Sequence, residues 1–373
     1  MLELREGSVS QVIGGSGQGL SRLAEKLRRE HRHVGVVSQD ALAHITFLRE
    51  TVAEEVAFGL EQRGVDRQEM ERRVDRILRL VGLSELAEAD PAALSGGQTR
   101  RLAVAAVAVL EPEILVLDDP FAGLDDTSAK LLVALCRQLP RTAVVVLGNR
   151  PHPLLPGEVL PLADAPLTPP DLQLPEPVGQ GGAVLDLGSV TGRRGAGRRR
   201  WWQFPRPDAR EFNVGPVGVR VAPGEVLWLR GANGSGKTTL LRAIAGLDGA
   251  PGTHIPVALM LQRAGDQVVD TTVRGFVGRA GEPLGLDPDA HPLDLGATDL
   301  RLAQFLAVAG LGRPVLLADE PDVGLDHRGR GVMHRLIAGQ LRAGIALVIT
   351  CHDADFMGEV ARYARVSCLT LDQ

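Results

Sequence analysis

Two segments of this chain set a glycine-rich turn between an apolar strand pattern and a helical one: "GGSGQGLS" from Gly14 to Ser21 and "GANGSGKTT" from Gly231 to Thr239. A turn that opens a helix in this way aims several backbone N–H groups at one point, where the helix N-terminus adds partial positive charge. Its appearance twice makes internal repetition the strongest limit on the fold. Each turn is followed by a helical stretch and a β-branched run ending in glutamine, "VGVVSQ" at Gln39 and "VALMLQ" at Gln262. Each half then has an apolar run closing on an acidic pair, "ILVLDDP" (Ile114–Pro120) and "VLLADEP" (Val315–Pro321), and a "GLD" at Gly123–Asp125 and Gly324–Asp326. A last apolar run follows, "TAVVVLGNR" or "IALVITCHD", with 31 residues from Asp118 to Asn149 and 33 from Asp319 to His352.

Strand runs that alternate with helical patterns predict parallel α/β architecture. At 373 residues the chain has room for two such domains, each with its own core. The predicted boundaries are residues 1–150 and 183–373, joined by a Pro-rich, extended linker over 151–182.

Composition narrows the function. The net charge of −5 gives no reason to expect a nucleic-acid partner. No apolar run approaches the roughly 18–20 residues that span a bilayer, and the N-terminus lacks a signal-peptide pattern, so a soluble chain is expected. Cys136, Cys351 and Cys368 lie far apart and fit neither a metal site nor a disulfide framework, which suits a reducing cytosol. Only Lys26, Lys130 and Lys237 are lysines, and Lys237 stands in the second glycine turn.

That second turn meets G-x-x-x-x-G-K-[ST], after a strand-like "EVLWLR" and before a helical "TTLLRAIAGL". Gly231, Asn233, Gly234, Ser235, Gly236, Lys237, Thr238 and Thr239 are therefore candidate phosphate-binding residues, with Lys237 on the β- and γ-phosphates and Thr238 on Mg²⁺. Asp319 ends a buried strand, where a carboxylate is costly unless it serves a cation. Glu320, one residue on, is placed to polarise a water as general base.

"LSGGQTRRLAVA" (Leu94–Ala105) is the most specific stretch. "LSGGQ" between a glycine turn and "LDDP" resembles the signature of ABC-type ATPases, and the resemblance covers nearly all of both halves. It implies two tandem P-loop NTPase domains, each a mainly parallel sheet flanked by helices with a helical subdomain, using ATP and Mg²⁺. In that family two domains meet head to tail, and the signature of one closes over the nucleotide of the other. Ser95, Gly96, Gly97 and Gln98 would then approach the γ-phosphate from the far side, at a helix N-terminus. Gln262 and His352 match the family's glutamine-loop and switch-histidine positions, and Gln262 joins Thr238 and Asp319 around the metal.

The two halves depart from this pattern in opposite ways. In the first, Leu20 replaces the lysine, Asp119 the glutamate and Asn149 the histidine. In the second, anchoring on "RLA" (Arg301–Ala303), the signature reads "DLGAT", Asp294–Thr298. Head-to-tail pairing would gather every intact part into one composite site and every damaged part into the other, which predicts one hydrolytic site per chain. Met1 also stands only 13 residues before Gly14, leaving no room for the antiparallel sheet that carries an adenine-stacking aromatic in the family. In the second half "AVLDLGSVT" is expected to supply that sheet, with Trp201, Trp202 or Phe204 either stacking on the base or packing on the sheet. The run Arg193–Arg200 is expected to be a solvated loop.

The amphipathic stretch from Glu50 to Leu86 is similar to ATPases of the energy-coupling-factor type, which drive uptake of vitamins and of metal ions such as cobalt and nickel. "LQRAGDQVVDTTV" (Leu261–Val273) echoes the "P-D-x-Q" helix of those ATPases, with Gly265 where proline usually stands. The resemblance implies integral-membrane partners whose coupling helices dock near Gln39 and Gln262, and a place on the inner face of the cell membrane. A soluble twin-domain ABC ATPase working on ribosomes or DNA stays open as the alternative.

Overall fold

The computed structural model describes residues 2, 4–15, 19–162, 172–179, 181–194, 212–278 and 284–371. The chain divides into two compact units, Met1–Asp171 and Leu172–Gln373.

The first unit runs β1 (Val9–Ile13), α1 (Leu20–Glu30), β2 (Val34–Val37), α2 (Val52–Gln62), α3 (Arg67–Leu80), α4 (Gly96–Ala108), β3 (Ile114–Asp118), α5 (Asp126–Arg137), β4 (Ala143–Gly148) and β5 (Glu158–Pro161). Its five strands are all parallel, in the order β2-β3-β4-β1-β5. β3 and β4 are apolar over nearly their whole length and are buried, as strands covered on both faces must be. The helical arm is α2 and α3. Thr51 and Glu54 form a capping box at the start of α2, and Val74, Ile77, Leu78 and Val81 turn inward from α3.

The second unit opens with an antiparallel pair, β6 (Leu185–Arg194) and β7 (Phe212–Val221), matching the expectation for "AVLDLGSVT". It continues with β8 (Val226–Arg230), α6 (Lys237–Ile244), β9 (Val257–Met260), α7 (Val273–Val277), α8 (Ala297–Ala309), β10 (Val315–Asp319), α9 (His327–Arg342), β11 (Ala346–Thr350), α10 (Ala354–Val360) and β12 (Val366–Thr370). Its parallel sheet is ordered β12-β8-β11-β10-β9. Matched element by element, this is the first unit's order again. The repeat read from the sequence is a repeat of topology. Among the described residues the first unit has no counterpart of β6 and β7.

The linker is shorter than expected. Residues 158–161 form β5 on the edge of the first sheet, paired with β1. Pro161 is tolerated there because an edge strand has one side without ladder partners. On the other side, Leu174 and Val178 pack on the second core, and Val178 N–H donates to the Tyr363 carbonyl. Residues 172–179 therefore belong with the second domain. Trp201, Trp202 and Phe204 lie outside the described residues, as does most of the arginine run.

The second signature also needs a new register. α4 and α8 are each 13 residues long, with Ser95 and Gly296 as N-caps and a 3₁₀ turn just before, at Pro91–Ala93 and Pro292–Asp294. The helix starts thus pair Leu94 with Leu295, so the counterpart of "LSGGQ" is "LGATD", Leu295–Asp299. The "RLA" of α8 lies one residue nearer its helix start than that of α4, so the counterpart is not "DLGAT". The serine is lost in either register, but in the new one both glycines are replaced, by Ala297 and Thr298.

Candidate functional site

In the second unit β8 ends at the glycine turn and α6 begins on Lys237 itself. Gly236 makes the turn possible. Its φ of 93° lies in the left-handed region, and a Cβ there would come within 2.9 Å of Phe212 and Val214 on β7. Lys237 is buried, and its Nζ donates to the carbonyls of Gly231 (2.7 Å) and Ala232 (2.9 Å). Ser235 Oγ is buried with no hydrogen-bond partner among the described residues. Such an orphan polar atom beside a lysine and a run of turn N–H groups fits an anionic ligand.

Asp319 and Glu320 stand at the carboxyl end of β10, 2% and 5% exposed. Burial pushes the Asp319 carboxyl up. Hydrogen bonds from Thr350 and Thr238 and the charges of Arg301 and Lys237 oppose that. Thr350 Oγ1 donates to Asp319 Oδ1 at 2.6 Å and accepts from Glu320 N–H at 3.0 Å, so one hydroxyl fixes both acids. Burial, with Asp319 and Asp322 nearby, pushes Glu320 up to about 8. Gln262 Nε2 donates to Glu320 Oε2 at 2.9 Å, and His352 Nε2 stands 3.5 Å from Oε1. Thr238, Gln262, Asp319, Glu320 and His352 are brought together as the sequence predicted. Thr350 and Arg301 were not foreseen.

Arg301 is fully enclosed, and burial lowers it to about 10. Its guanidinium donates to the carbonyls of Leu261 and Gln262 on one side and of Asp319 and Glu320 on the other. It ties the glutamine loop to the acidic pair. Gln304 and Gln267 extend the clamp, with Leu261 N–H donating to Gln267 Oε1 at 2.7 Å. Gln267 ends a 3₁₀ turn, Ala264–Gln267; if Gln267 is the glutamine of "P-D-x-Q", Ala264 and not Gly265 stands in the proline's place.

The first unit has the frame without the lysine and the histidine. Leu20 opens α1 where Lys237 opens α6, and it packs with the cluster around Val12 and Val116. Its Cδ2 lies 3.4 Å from where a Cβ on Gly14 would stand. An apolar group thus rests on the turn that Lys237 grips in the other domain. Asp119 (φ 47°) and Glu320 (φ 50°) share a left-handed backbone. Asp119 nonetheless reaches Gln39 only at 3.5 Å, a contact at the limit of a hydrogen bond. Burial and then Asp119 push Asp118 up to about 6.

What the first unit does keep is its signature. Ser95 caps α4 in a capping box, with Gln98 N–H donating to Ser95 Oγ and Ser95 N–H to Gln98 Oε1. Gln98 is thereby committed to the helix start. Gly96 is exposed and Gly97 buried. In the second unit the same place is closed. Thr298 Oγ1 donates to the Gly324 carbonyl and accepts from Asp326 N–H, fastening the helix start to the "GLD" turn.

The family model described as ABC transporter matches residues 1–122 and 214–265. A protein of Streptomyces avermitilis named as an ABC transporter ATP-binding protein is 29% identical, across 95% of this chain and 82% of its own. An energy-coupling factor transporter ATP-binding protein of Streptococcus thermophilus is 34% identical, over 38% of this chain and 60% of its own. Among solved structures, archaeal ribosome recycling factor aABCE1 in complex with ribosomal stalk protein aP1 has a TM-score of 0.58 at 16% identity, covering 99% of this chain and 84% of that one. The RNase-L inhibitor has a TM-score of 0.56 at 16% identity, covering 98% and 84%. At such identities the likeness concerns the fold alone. Among the described residues no helix is long and apolar enough to cross a membrane.

Proposed function

Because this chain is an ABC-type ATPase with two ABC domains in tandem, we propose that it powers a membrane transporter through one competent composite ATP site per chain. One observation carries the reading: the losses are complementary. Lys237, Gln262, Asp319, Glu320 and His352 are present where the signature is lost, and Ser95, Gly96 and Gly97 are present where Leu20, Asp119 and Asn149 stand. Two sites decaying independently would each keep and lose parts at random.

In this mechanism the two domains pair head to tail. Lys237 and the N–H groups of residues 234–239 bind the phosphates of ATP, and Ser95 with the N–H groups of Gly96 and Gly97 meets the γ-phosphate from the other side. Thr238, Asp319 and Gln262 would hold Mg²⁺, which neutralises and orients phosphate oxygens. Glu320 takes the proton of the attacking water. Gln262 and His352 hold that water and the carboxylate in line. Cleavage removes the group that both domains grip, and the interface reopens.

The transport assignment rests on the names of relatives matched over most of the chain. The partial likeness to an energy-coupling factor ATPase favours an importer of a vitamin or transition-metal ion. Its coupling helices would dock near Gln39 and Gln262, with the chain peripheral on the inner membrane face. Affinity purification of the tagged chain from membranes and from ribosomes tests this. A polytopic membrane protein held in stoichiometric amount supports transport. Stable association with ribosomes in its place overturns it.

A further inference from the structure

We propose that Arg330 is a positioning residue for His352, holding the turn that carries the histidine and so setting its reach to Glu320. The proposal rests on the single-site reading above. Arg330 lies on α9, which starts directly after the "GLD" turn, and its side chain is 13% exposed. Nη1 donates to Asp353 Oδ2 at 2.6 Å and Nε to Glu359 Oε2 at 2.7 Å. A guanidinium is planar, so the two carboxylates are fixed at a set angle to each other and to α9.

Asp353 is the residue after His352. Its other oxygen caps α10, accepting from the N–H groups of Asp355 and Phe356. On the other side of the histidine, Trp228 Nε1 donates to the Cys351 carbonyl at 3.1 Å. The turn is therefore held before and after His352, by β8 and by α9. Glu359 is held in turn by His334, whose Nε2 lies 2.7 Å away and whose Nδ1 meets the Tyr363 hydroxyl at 2.9 Å. A buried network of this kind fixes geometry when each member has its partner.

The first domain provides an internal comparison. By the same strand and helix registers, Ala129 stands in the place of Arg330, Arg150 of Asp353, Val133 of His334 and Gln11 of Trp228. Asn149 stands in the place of His352. The arginine–aspartate pair is missing where the histidine is missing; the loop after Asn149 is held instead by Gln11, through His152 and Leu155. The helix that Arg330 ties to α9 is absent there too, since β4 runs on to β5 with no helix between them, so the arginine, the helix and the histidine occur together in one domain.

Steady-state ATP hydrolysis by the full chain tests this as a double-mutant cycle. Arg330→Met is expected to lower kcat at least about tenfold, with KM for ATP within about twofold, and Arg330→Lys to recover part of the loss. In a His352→Ala background the same Arg330→Met change is expected to alter kcat less than about twofold. Asp353→Asn keeps the α10 cap, since asparagine caps as well as aspartate, and is expected to reproduce the loss even if Arg330→Met fails to fold. Equal losses in both backgrounds, or an Asp353→Asn chain with wild-type kcat, would overturn the proposal. A Lys237→Ala chain that still turns over would instead overturn the site assignment beneath it.

Discussion

Gln262 Nε2 and the Glu320 carboxylate meet at 2.9 Å, and both are anchored from behind by Arg301, which binds the carbonyls of the same two residues. The proposed base and the loop beside it are thus one unit. In the first domain Arg100 makes the same kind of tie, to the carbonyls of Asp119 and Gln39. The tie is therefore present in the domain where Leu20, Asp119 and Asn149 stand.

Ser95 both caps its own helix and is assigned to the γ-phosphate, and the two roles separate on substitution by glycine. Glycine costs an N-cap only a few tenths of a kcal/mol, and Gly296 fills that place in the second domain. Ser95→Gly is expected to leave the unfolding midpoint nearly unchanged. Turnover should fall roughly ten- to hundredfold, the loss of a charged hydrogen bond worth about 1.5–3 kcal/mol. Wild-type turnover would remove Ser95 from the site.

Thr350→Val keeps shape and strand preference while deleting the hydroxyl that bridges Asp319 and the Glu320 N–H. Leaving those groups short of a partner costs about 1–3 kcal/mol. The Mg²⁺ concentration for half-maximal turnover is expected to rise roughly five- to hundredfold. An unchanged Mg²⁺ dependence would show that Thr350 serves only the strand.

The strand-turn-helix repeat and the acidic strand ends were legible because they rest on local pattern: glycines in a row, then period, then charge. Arg301 and Thr350 were not. An arginine inside an apolar helix and a threonine ending an apolar strand gain their meaning from carbonyls and carboxylates distant in sequence. The second signature slipped by a residue because "RLA" recurs in both helices, while the helix start is set by cap geometry at Ser95 and Gly296. β5 is hidden because Pro161 and the prolines around it look like linker, and only its place at a sheet edge makes Pro161 acceptable.

Burial lowers the His334 imidazole below its usual 6.5, against the pull of Glu359 and Asp353 and with the push of Arg330, while Tyr363 faces its other nitrogen. The unfolded chain takes up a proton near 6.5 while the folded imidazole stays neutral. Its contribution to stability is therefore whole above 6.5 and is lost as pH falls toward the lowered folded value. Thermal unfolding of the second domain, compared with His334→Gln between about pH 7 and 5.5, is expected to show the smaller acid-induced drop in the variant. Parallel drops would mean that His334 does not titrate in this way.

The central claim, one hydrolytic site per chain, is tested most directly by comparing two substitutions in the same full-length protein. Glu320→Gln is expected to lower the steady-state rate of ATP hydrolysis at least about a hundredfold, as removal of a general base does, while Asp119→Asn is expected to stay within about twofold of wild type. Comparable losses from both substitutions would contradict the account.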